Sequence, residues 1–123
     1  MKQEVELQLK IKKPQEIEKK LKKIGKYVGT RKQIDKYFVP PFHKITVIKT
    51  RKYFDFGDFE VTLNRVKDLG DFMEIEAKKN FGGVKKTRKV CLDFLRNLDI
   101  DYEMKARMGY PRMLYRKLKR KKV

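Results

Sequence analysis

Residues 4–12 read Glu-Val-Glu-Leu-Gln-Leu-Lys-Ile-Lys, and this stretch decides the fold. Apolar and polar residues alternate strictly along it. Because successive side chains of a β-strand point to opposite sides, the alternation predicts a strand. One face of that strand is apolar, with Val5, Leu7, Leu9 and Ile11, and the other is ionic.

One helix and four further strands are predicted after this first strand. Pro14, suited to a first helical turn, precedes apolar residues at helical spacing and predicts a helix over 14–25. Alternation or β-branched and aromatic content predicts four strands, in the second half of 27–39 and at 45–54, 59–66 and 71–79.

After Gly83 the spacing of the apolar residues becomes helical again. Five apolar residues predict the buried stripe of a second helix: Val84, Cys91, Phe94, Leu95 and Leu98. Tyr110, Leu114 and Leu118 could anchor a last helix, which leads into a basic tail at 116–123. The order of elements predicts an α+β domain, with an antiparallel β-sheet and flanking helices.

Length and composition set limits on the class of protein. A chain of 123 residues and 14.9 kDa fits one domain over 1–123, and its 40% hydrophobic residues exclude disorder. No apolar run is long enough to cross a bilayer. One cysteine and one histidine exclude an internal disulfide framework and a cysteine-based zinc cage. We therefore expect a soluble cytoplasmic protein that does not bind membranes.

The net charge indicates the class of partner. The chain has 34 Lys and Arg residues against 16 Asp and Glu residues, which gives +18. Such a field attracts polyanions, and phosphate-bearing partners come first. An alternative is that the charge serves solubility and ion-pair networks, as in proteins from hot environments.

Two predicted strands each carry a Glu-x-Glu pair on the polar side, namely Glu4 with Glu6 and Glu74 with Glu76. If the strands are neighbours, four carboxylates share one surface, which then needs cations because like charges repel across a sheet. Hard oxygen ligands of this kind suit magnesium or manganese, which bind carboxylates together with substrate phosphates.

Basic residues at matching strand positions could hold phosphate oxygens. These residues are Lys10, Lys49, Arg51 and Lys78. The alternative is an exposed face on which Glu and Lys alternate to keep the sheet soluble and to discourage edge pairing.

The motifs also resemble a known family. Residues 4–10 are similar to the N-terminal Glu-x-Glu-x-Lys signature of the CYTH group of triphosphate tunnel metalloenzymes, which includes class IV adenylyl cyclases. Four later segments resemble further family elements in the same order: residues 33–38, residues 49–51, residues 63–76, and Tyr110 with Met113 and Leu114.

The resemblance implies a tunnel-like β-barrel in which carboxylates bind magnesium or manganese and basic residues grip a triphosphate. Family members hydrolyse or cyclise such compounds. Carried over by motif position, Glu4, Glu6, Glu74 and Glu76 would be the metal ligands, with Glu4 and Glu6 also catalytic. Lys49 and Arg51 would bind phosphate.

Three departures from the family pattern shape the expectation. Gln8 stands at the signature lysine position and Asn64 at a usual aspartate position, and two central family strands have no counterpart after Pro40. About eight strands are needed before a barrel can hold a small ligand, whereas five are predicted. We therefore expect an open or partial barrel, left as a groove or completed in a homodimer that pairs along an exposed edge.

A second function remains open beside the enzyme. The chain could be a non-catalytic module that binds a nucleotide, polyphosphate or RNA, with the basic tail extending the surface and Tyr110 or Tyr115 stacking on bases. The choice between hydrolysis and cyclisation and the identity of the triphosphate are also open.

Overall fold

A computed structural model describes residues 5–40, 43–104 and 108–121. These residues form six strands and three helices. In chain order they are β1 (Glu6–Ile11), α1 (Pro14–Ile24), β2 (Lys26–Val39), β3 (His43–Asp55), β4 (Phe59–Val66), β5 (Gly70–Ala77), α2 (Val84–Leu98), β6 (Tyr102–Met104) and α3 (Tyr110–Lys121).

All the strands belong to one antiparallel sheet with the order β2-β3-β4-β5-β1-β6. Strands β2 to β5 follow one another as a meander, and β1 lies between β5 and β6. The outer strands β2 and β6 do not pair with each other, so the sheet is not closed. The predicted α+β class with an open antiparallel sheet is confirmed.

Helices α1 and α2 cover one face of the sheet. The apolar side of β1 packs there, as its alternation predicts, because Leu7 and Leu9 are almost fully buried. The core on this face also receives Ile17 and Leu21 from α1 and Leu95 from α2. Burial of these side chains is the main stabilisation of the layer.

Helix α3 packs on the opposite face, towards the end formed by β3 and the tip of the β2–β3 hairpin. Its Tyr110 and Leu114 join a second apolar cluster with Val47, Val66 and Phe72. Beyond that cluster the face carries mostly charged and amide side chains, and we call this region of β1, β5, β4 and β3 the polar face. Five charged residues of the sequence motifs lie on it, namely Glu6, Lys49, Arg51, Glu74 and Glu76.

Some element predictions were incomplete or wrong. Strand β2 begins at Lys26 rather than in the second half of its segment, and the short strand β6 was not predicted. Val84 and Leu118 are 47% and 50% exposed, so neither is buried in a helix stripe. Within the described residues, the predicted basic tail is the last part of α3 as far as Lys121.

No helix in the described part of the chain is long and apolar enough to cross a membrane.

Candidate functional site on the polar face

Strand pairing arranges acidic side chains in a row across the polar face. Glu6 of β1 lies opposite Glu76 of β5, and Glu76 lies opposite Glu60 of β4. Glu60 in turn lies opposite Asp55 of β3. We call these four residues the carboxylate row. Because adjacent carboxylates repel one another across a sheet, the row is a place where a cation would be stabilising.

Glu74 lies in the next row and is held by the protein itself. Its Oε2 accepts hydrogen bonds from Arg51 Nη2 at 3.4 Å, from Tyr110 OH at 3.2 Å and from Asn64 Nδ2. Asn64 Nδ2 also donates to Tyr110 OH at 3.1 Å. The Glu74 side chain is only 14% exposed. This carboxylate therefore joins β3, β4 and α3, because each of them supplies one donor.

The carboxyl groups of Glu6 and Glu74 are joined by a hydrogen bond. The hydrogen bond between their carboxyl groups, assisted by burial and by the charges of Glu74 and Glu76, raises the pKa of Glu6 to about 8. Burial also acts to raise the pKa of Glu74, but the hydrogen bond from Glu6 and the charge of Arg51 outweigh it, so this pKa is lowered. At neutral pH the proton resides on Glu6, and Glu74 is ionised.

Two of the predicted phosphate-binding residues lie beside these carboxylates. Arg51 contacts Glu74 and Thr62, and its guanidinium lies 5.5 Å from the centre of the Tyr53 ring. Its Nε is buried without a hydrogen-bond partner in the described part of the chain. Lys49 Nζ lies 5.3 Å from the centre of the Tyr110 ring, and burial, followed by the charge of Arg51, lowers the pKa of Lys49.

The other two residues that were predicted to bind phosphate, Lys10 and Lys78, contact other groups. Lys10 Nζ donates to the carbonyl oxygen of Leu69 at 3.2 Å. Lys78 Nζ forms an ion pair with Asp55 Oδ1 at 2.7 Å, at the far end of the carboxylate row. The structure thus brings Lys49 and Arg51 together with Glu6, Glu74 and Glu76, and leaves Lys10 and Lys78 at the margins. Glu4 lies outside the described residues.

A small cavity lies over this part of the face. Its volume is about 190 Å³, and it is lined by Glu6, Arg51, Glu60, Thr62, Glu74 and Glu76. A larger depression of about 480 Å³ shares Glu60 with it and extends past Tyr53 to Arg31 of β2. The two spaces meet at Glu60, and we call them together the groove, with carboxylates of β1 and β5 towards one end and Arg31 of the edge strand β2 towards the other. A polar molecule of nucleotide-like size is the kind of ligand such a groove can take.

Sequence reasoning missed Glu60, Arg31 and Tyr53 as members of this groove. Glu60 could have been found, because the turn at 55–58 joins two strands whose pairing places it opposite Asp55. Arg31 lies in the half of β2 that was not predicted as a strand.

The carboxylate oxygens of the row are ligands of the kind that a divalent cation such as magnesium requires. Among the described residues, no group of three or more His, Cys, Asp or Glu side chains is arranged to hold a metal ion. Glu74 already accepts from three protein donors. Magnesium, however, commonly uses one or two carboxylates and completes its shell with water and substrate phosphate. The neighbours Glu6 and Glu76 fit that smaller requirement.

Comparisons with known proteins place the fold. No protein-family model matches the chain, and no curated protein matches it. Among solved structures, the chain is similar to the PH1012 protein from Pyrococcus horikoshii OT3, with a TM-score of 0.70 and 19% identity over 85% of this chain and 96% of that one.

Two further structures are similar to a comparable degree. A conserved hypothetical protein from Pyrococcus furiosus has a TM-score of 0.71 and 17% identity over 86% of this chain and 97% of that one. The PH1819 protein from Pyrococcus horikoshii OT3 has a TM-score of 0.70 and 16% identity over 93% of this chain and 99% of that one. At these identities the likeness shows a shared fold alone.

Proposed function

We propose that this protein binds a triphosphate compound together with magnesium or manganese on the polar face and hydrolyses or cyclises it, as a shortened relative of the CYTH group. One observation supports this above the others. The Glu-x-Glu motif of β5 and Glu6 of β1 share a cavity with Arg51. Carboxylates that could bind a cation and a guanidinium that could bind phosphate thus line the same small cavity.

The proposal gives each residue a separate task. Glu6 and Glu76, which are direct neighbours across β1 and β5, hold the divalent cation. Lys49 and Arg51 bind phosphate oxygens, and Glu74 positions Arg51 through its ion pair. Once bound, the cation would stabilise the charge that develops on the phosphoryl oxygens.

Glu6 also has a proton that it must release before it can bind a cation. With the pKa of Glu6 raised to about 8, cation binding displaces that proton and becomes more favourable as the pH increases. We therefore expect activity to rise with pH up to about this value.

Product release tests the enzyme directly. Inorganic triphosphate, ATP and thiamine triphosphate are each incubated with the full chain and magnesium or manganese, and phosphate, pyrophosphate and cyclic nucleotide are measured. We expect turnover that chelation abolishes and that Glu76→Gln lowers at least tenfold. Glu16→Gln is the matched control, because Glu16 lies in the first turn of α1 on the opposite side of the sheet.

Absence of product with every substrate and either cation would contradict the enzyme. Equal activity of the Glu76→Gln and Glu16→Gln variants would contradict the site.

A second candidate function is binding of a polyanion without turnover. It is favoured by the neutralisation of the acidic cluster within the protein, since Glu6 is protonated and Glu74 is bonded to Arg51, Asn64 and Tyr110. The chain also carries a net charge of +18. A basic surface of this kind binds phosphates through counterion release, which makes the affinity strongly dependent on salt.

Binding measured at several salt concentrations distinguishes the polyanions. If RNA binds through α3, Arg116→Gln/Arg120→Gln should weaken RNA binding and reduce its dependence on salt, and should leave triphosphate binding unchanged. The double substitution Lys49→Gln/Arg51→Gln should have the opposite pattern. If both double variants weaken both ligands equally, only the overall charge matters and neither surface is specific.

We also propose a cytoplasmic location. Cys91 is the single cysteine, it is buried, and it is not in a disulfide. Burial raises the pKa of its thiol, which keeps the thiol protonated and unreactive. Such use of cysteine is typical of a reducing compartment.

A further inference from the structure

Strand β2 forms a long edge of the sheet. Within the described residues it pairs with β3 on one side and with no strand on the other. A bulge lies between Tyr27 and Gly29, and beyond it the pairing is regular as far as Val39. Exposed backbone groups along such an edge can pair with another strand.

This edge also exposes apolar side chains on the helix-covered side of the sheet. Ile34 is 59% exposed and Phe38 is 72% exposed. Neither is covered by α1 or α2, because this end of the β2–β3 hairpin extends beyond the part of β3 that pairs with β4. Apolar residues together with an open strand edge favour association with another polypeptide.

On the polar face, β2 has an unfavourable charge pair. Arg31 lies directly opposite Arg51 of β3. Like charges at such positions destabilise a sheet. Arg51 has Glu74 as an ion-pair partner on its other side, but Arg31 has no acidic residue opposite it within the sheet. An acid placed on the outer side of Arg31 would relieve this repulsion.

We propose that two copies of this chain pair through β2 in an antiparallel register centred on Gln33. A twofold axis perpendicular to the sheet keeps the polar faces of both copies on one side, so one residue must lie opposite itself. With Gln33 at that position, Asp35 lies opposite the partner's Arg31, and Tyr37 lies opposite the partner's Gly29. The Arg31 of each copy then lies opposite an acidic residue of the other copy, and the Tyr37 ring of each copy covers Gly29 of the other.

Neighbouring registers would place like charges directly opposite each other. Centring on Lys32 places that lysine opposite its own copy. Centring on Ile34 places Lys32 opposite the partner's Lys36 at two symmetric positions. Arg31 or Asp35 at the centre would likewise lie opposite a like charge. The register centred on Gln33 avoids every like-charge pair directly opposite and brings Ile34 diagonally next to the partner's Ile34.

The second copy also contributes to the groove. Arg31, Tyr53 and Thr30 line the larger depression, which therefore reaches the edge strand β2. In the proposed register the partner's Asp35 and Tyr37 lie along the outer edge of β2, beside that depression. The dimer would therefore join two six-stranded sheets and add residues of the second copy to the outer end of each groove. The pairing does not depend on turnover, so a lack of enzyme activity would not affect it.

Sedimentation equilibrium of the full chain in phosphate-free buffer tests the association. Each copy carries +18, so the measurement is made at about 0.15 M salt, where the screening length is about 8 Å. We expect twice the monomer mass of 14.9 kDa. Asp35→Arg and Arg31→Asp should each yield monomers, and the combined variant should restore the dimer because it exchanges the two charges.

A cysteine at the axis tests the register without altering charge. Gln33→Cys places two thiols directly opposite each other, so mild oxidation should link the copies covalently. Lys32→Cys is the control, because residue 32 lies opposite the partner's Ile34 and should link far more slowly. The native Cys91 is buried and should not react.

A wild-type chain that stays monomeric in phosphate-free buffer would overturn the proposal. So would a dimer that is insensitive to the charge substitutions, or one in which cysteines at positions 32 and 33 link at the same rate. Circular dichroism of each variant shows whether a monomeric result reflects lost pairing or lost folding, and in the latter case the cysteine variants decide.

Discussion

At the scale of single residues, Glu74 is the group on which the polar face depends. Its sequence position suggested a metal ligand, whereas its contacts are with protein donors from three elements. Alternation placed it correctly on the same face as Glu6 and Glu76. Its partners could not be predicted, because Asn64 and Tyr110 reach it only through the strand register and the packing of α3.

Glu74→Gln should destabilise the fold. It removes the negative charge that Arg51 pairs with and exchanges one acceptor for a donor, which we expect to lower the free energy of unfolding by about 2–3 kcal/mol. Glu60→Gln is the matched control on the same face. Since Glu60 lies between Glu76 and Asp55, its neutralisation should leave stability unchanged or raise it. Urea denaturation measures both, and equal losses would argue against a special role for Glu74.

The proton on Glu6 should make stability depend on pH. Its pKa rises from an ordinary 4.5 to about 8 on folding, so between these values the folded chain holds a proton that the unfolded chain lacks. The free energy of unfolding should therefore fall as the pH rises through this window, by at most about 1.4 kcal/mol per pH unit. The lowered pKa of Glu74 acts only below its ordinary value of 4.5.

Urea denaturation from pH 5 to pH 8 measures this slope. Glu6→Gln keeps a hydrogen-bond donor towards Glu74 but does not titrate, so the pH dependence should be much weaker in the variant. A slope that is the same in both proteins would show that Glu6 does not retain its proton on folding.

At the scale of elements, the sequence predicted the strands and helices that have one buried face, because burial gives them a periodic pattern of apolar residues. Strand β4 has the predicted ends, and helix α2 forms where the helical spacing of apolar residues predicts it, because each has one side in the core. The first half of β2 was missed because almost all of it is exposed and no apolar period marks it. Strand β6 was missed because it has three residues, all exposed, and pairs only with β1.

Helix α3 is attached to the second apolar cluster by its first half. Leu114 is 6% exposed and Leu118, one turn later, is 50% exposed. Leu114→Ala should lower the free energy of unfolding by about 2–3 kcal/mol, because it leaves a cavity against Val47 and Val66, whereas Leu118→Ala should change it little. Hydrogen exchange of the α3 amides would locate the loss, and similar effects of the two substitutions would contradict this packing.

At the scale of the whole molecule, the net charge raises the question of whether phosphate binding is local or general. A field of +18 attracts any polyanion, whereas Lys49 and Arg51 are partly buried beside the carboxylates of the small cavity. The sequence could predict the attraction. It could not predict which basic side chains lie together, since Lys10 and Lys78 have the same strand parity as Lys49 and Arg51 and yet contact other groups.

Thermal unfolding with inorganic triphosphate can separate these cases. A ligand that binds only the folded chain raises the unfolding temperature. We expect a rise of several degrees that Lys49→Gln/Arg51→Gln largely removes. Lys85→Gln/Lys86→Gln removes the same charge from the exposed start of α2 and should keep most of the rise. An equal loss in the two double variants would show that only the overall field binds the ligand.

The place of β1 in the sheet affects how the chain is made. Glu6 pairs with Glu76, so β1 can pair with β5 only after the intervening strands β2, β3 and β4 have been made. The meander from β2 to β5 can form beforehand from sequential hairpins. Insertion of β1 then completes the helix-covered core and brings Glu6 to Glu74 in the same event. The acidic pair therefore cannot form before β5 has been made, and a chain that stops short of β5 has no such pair.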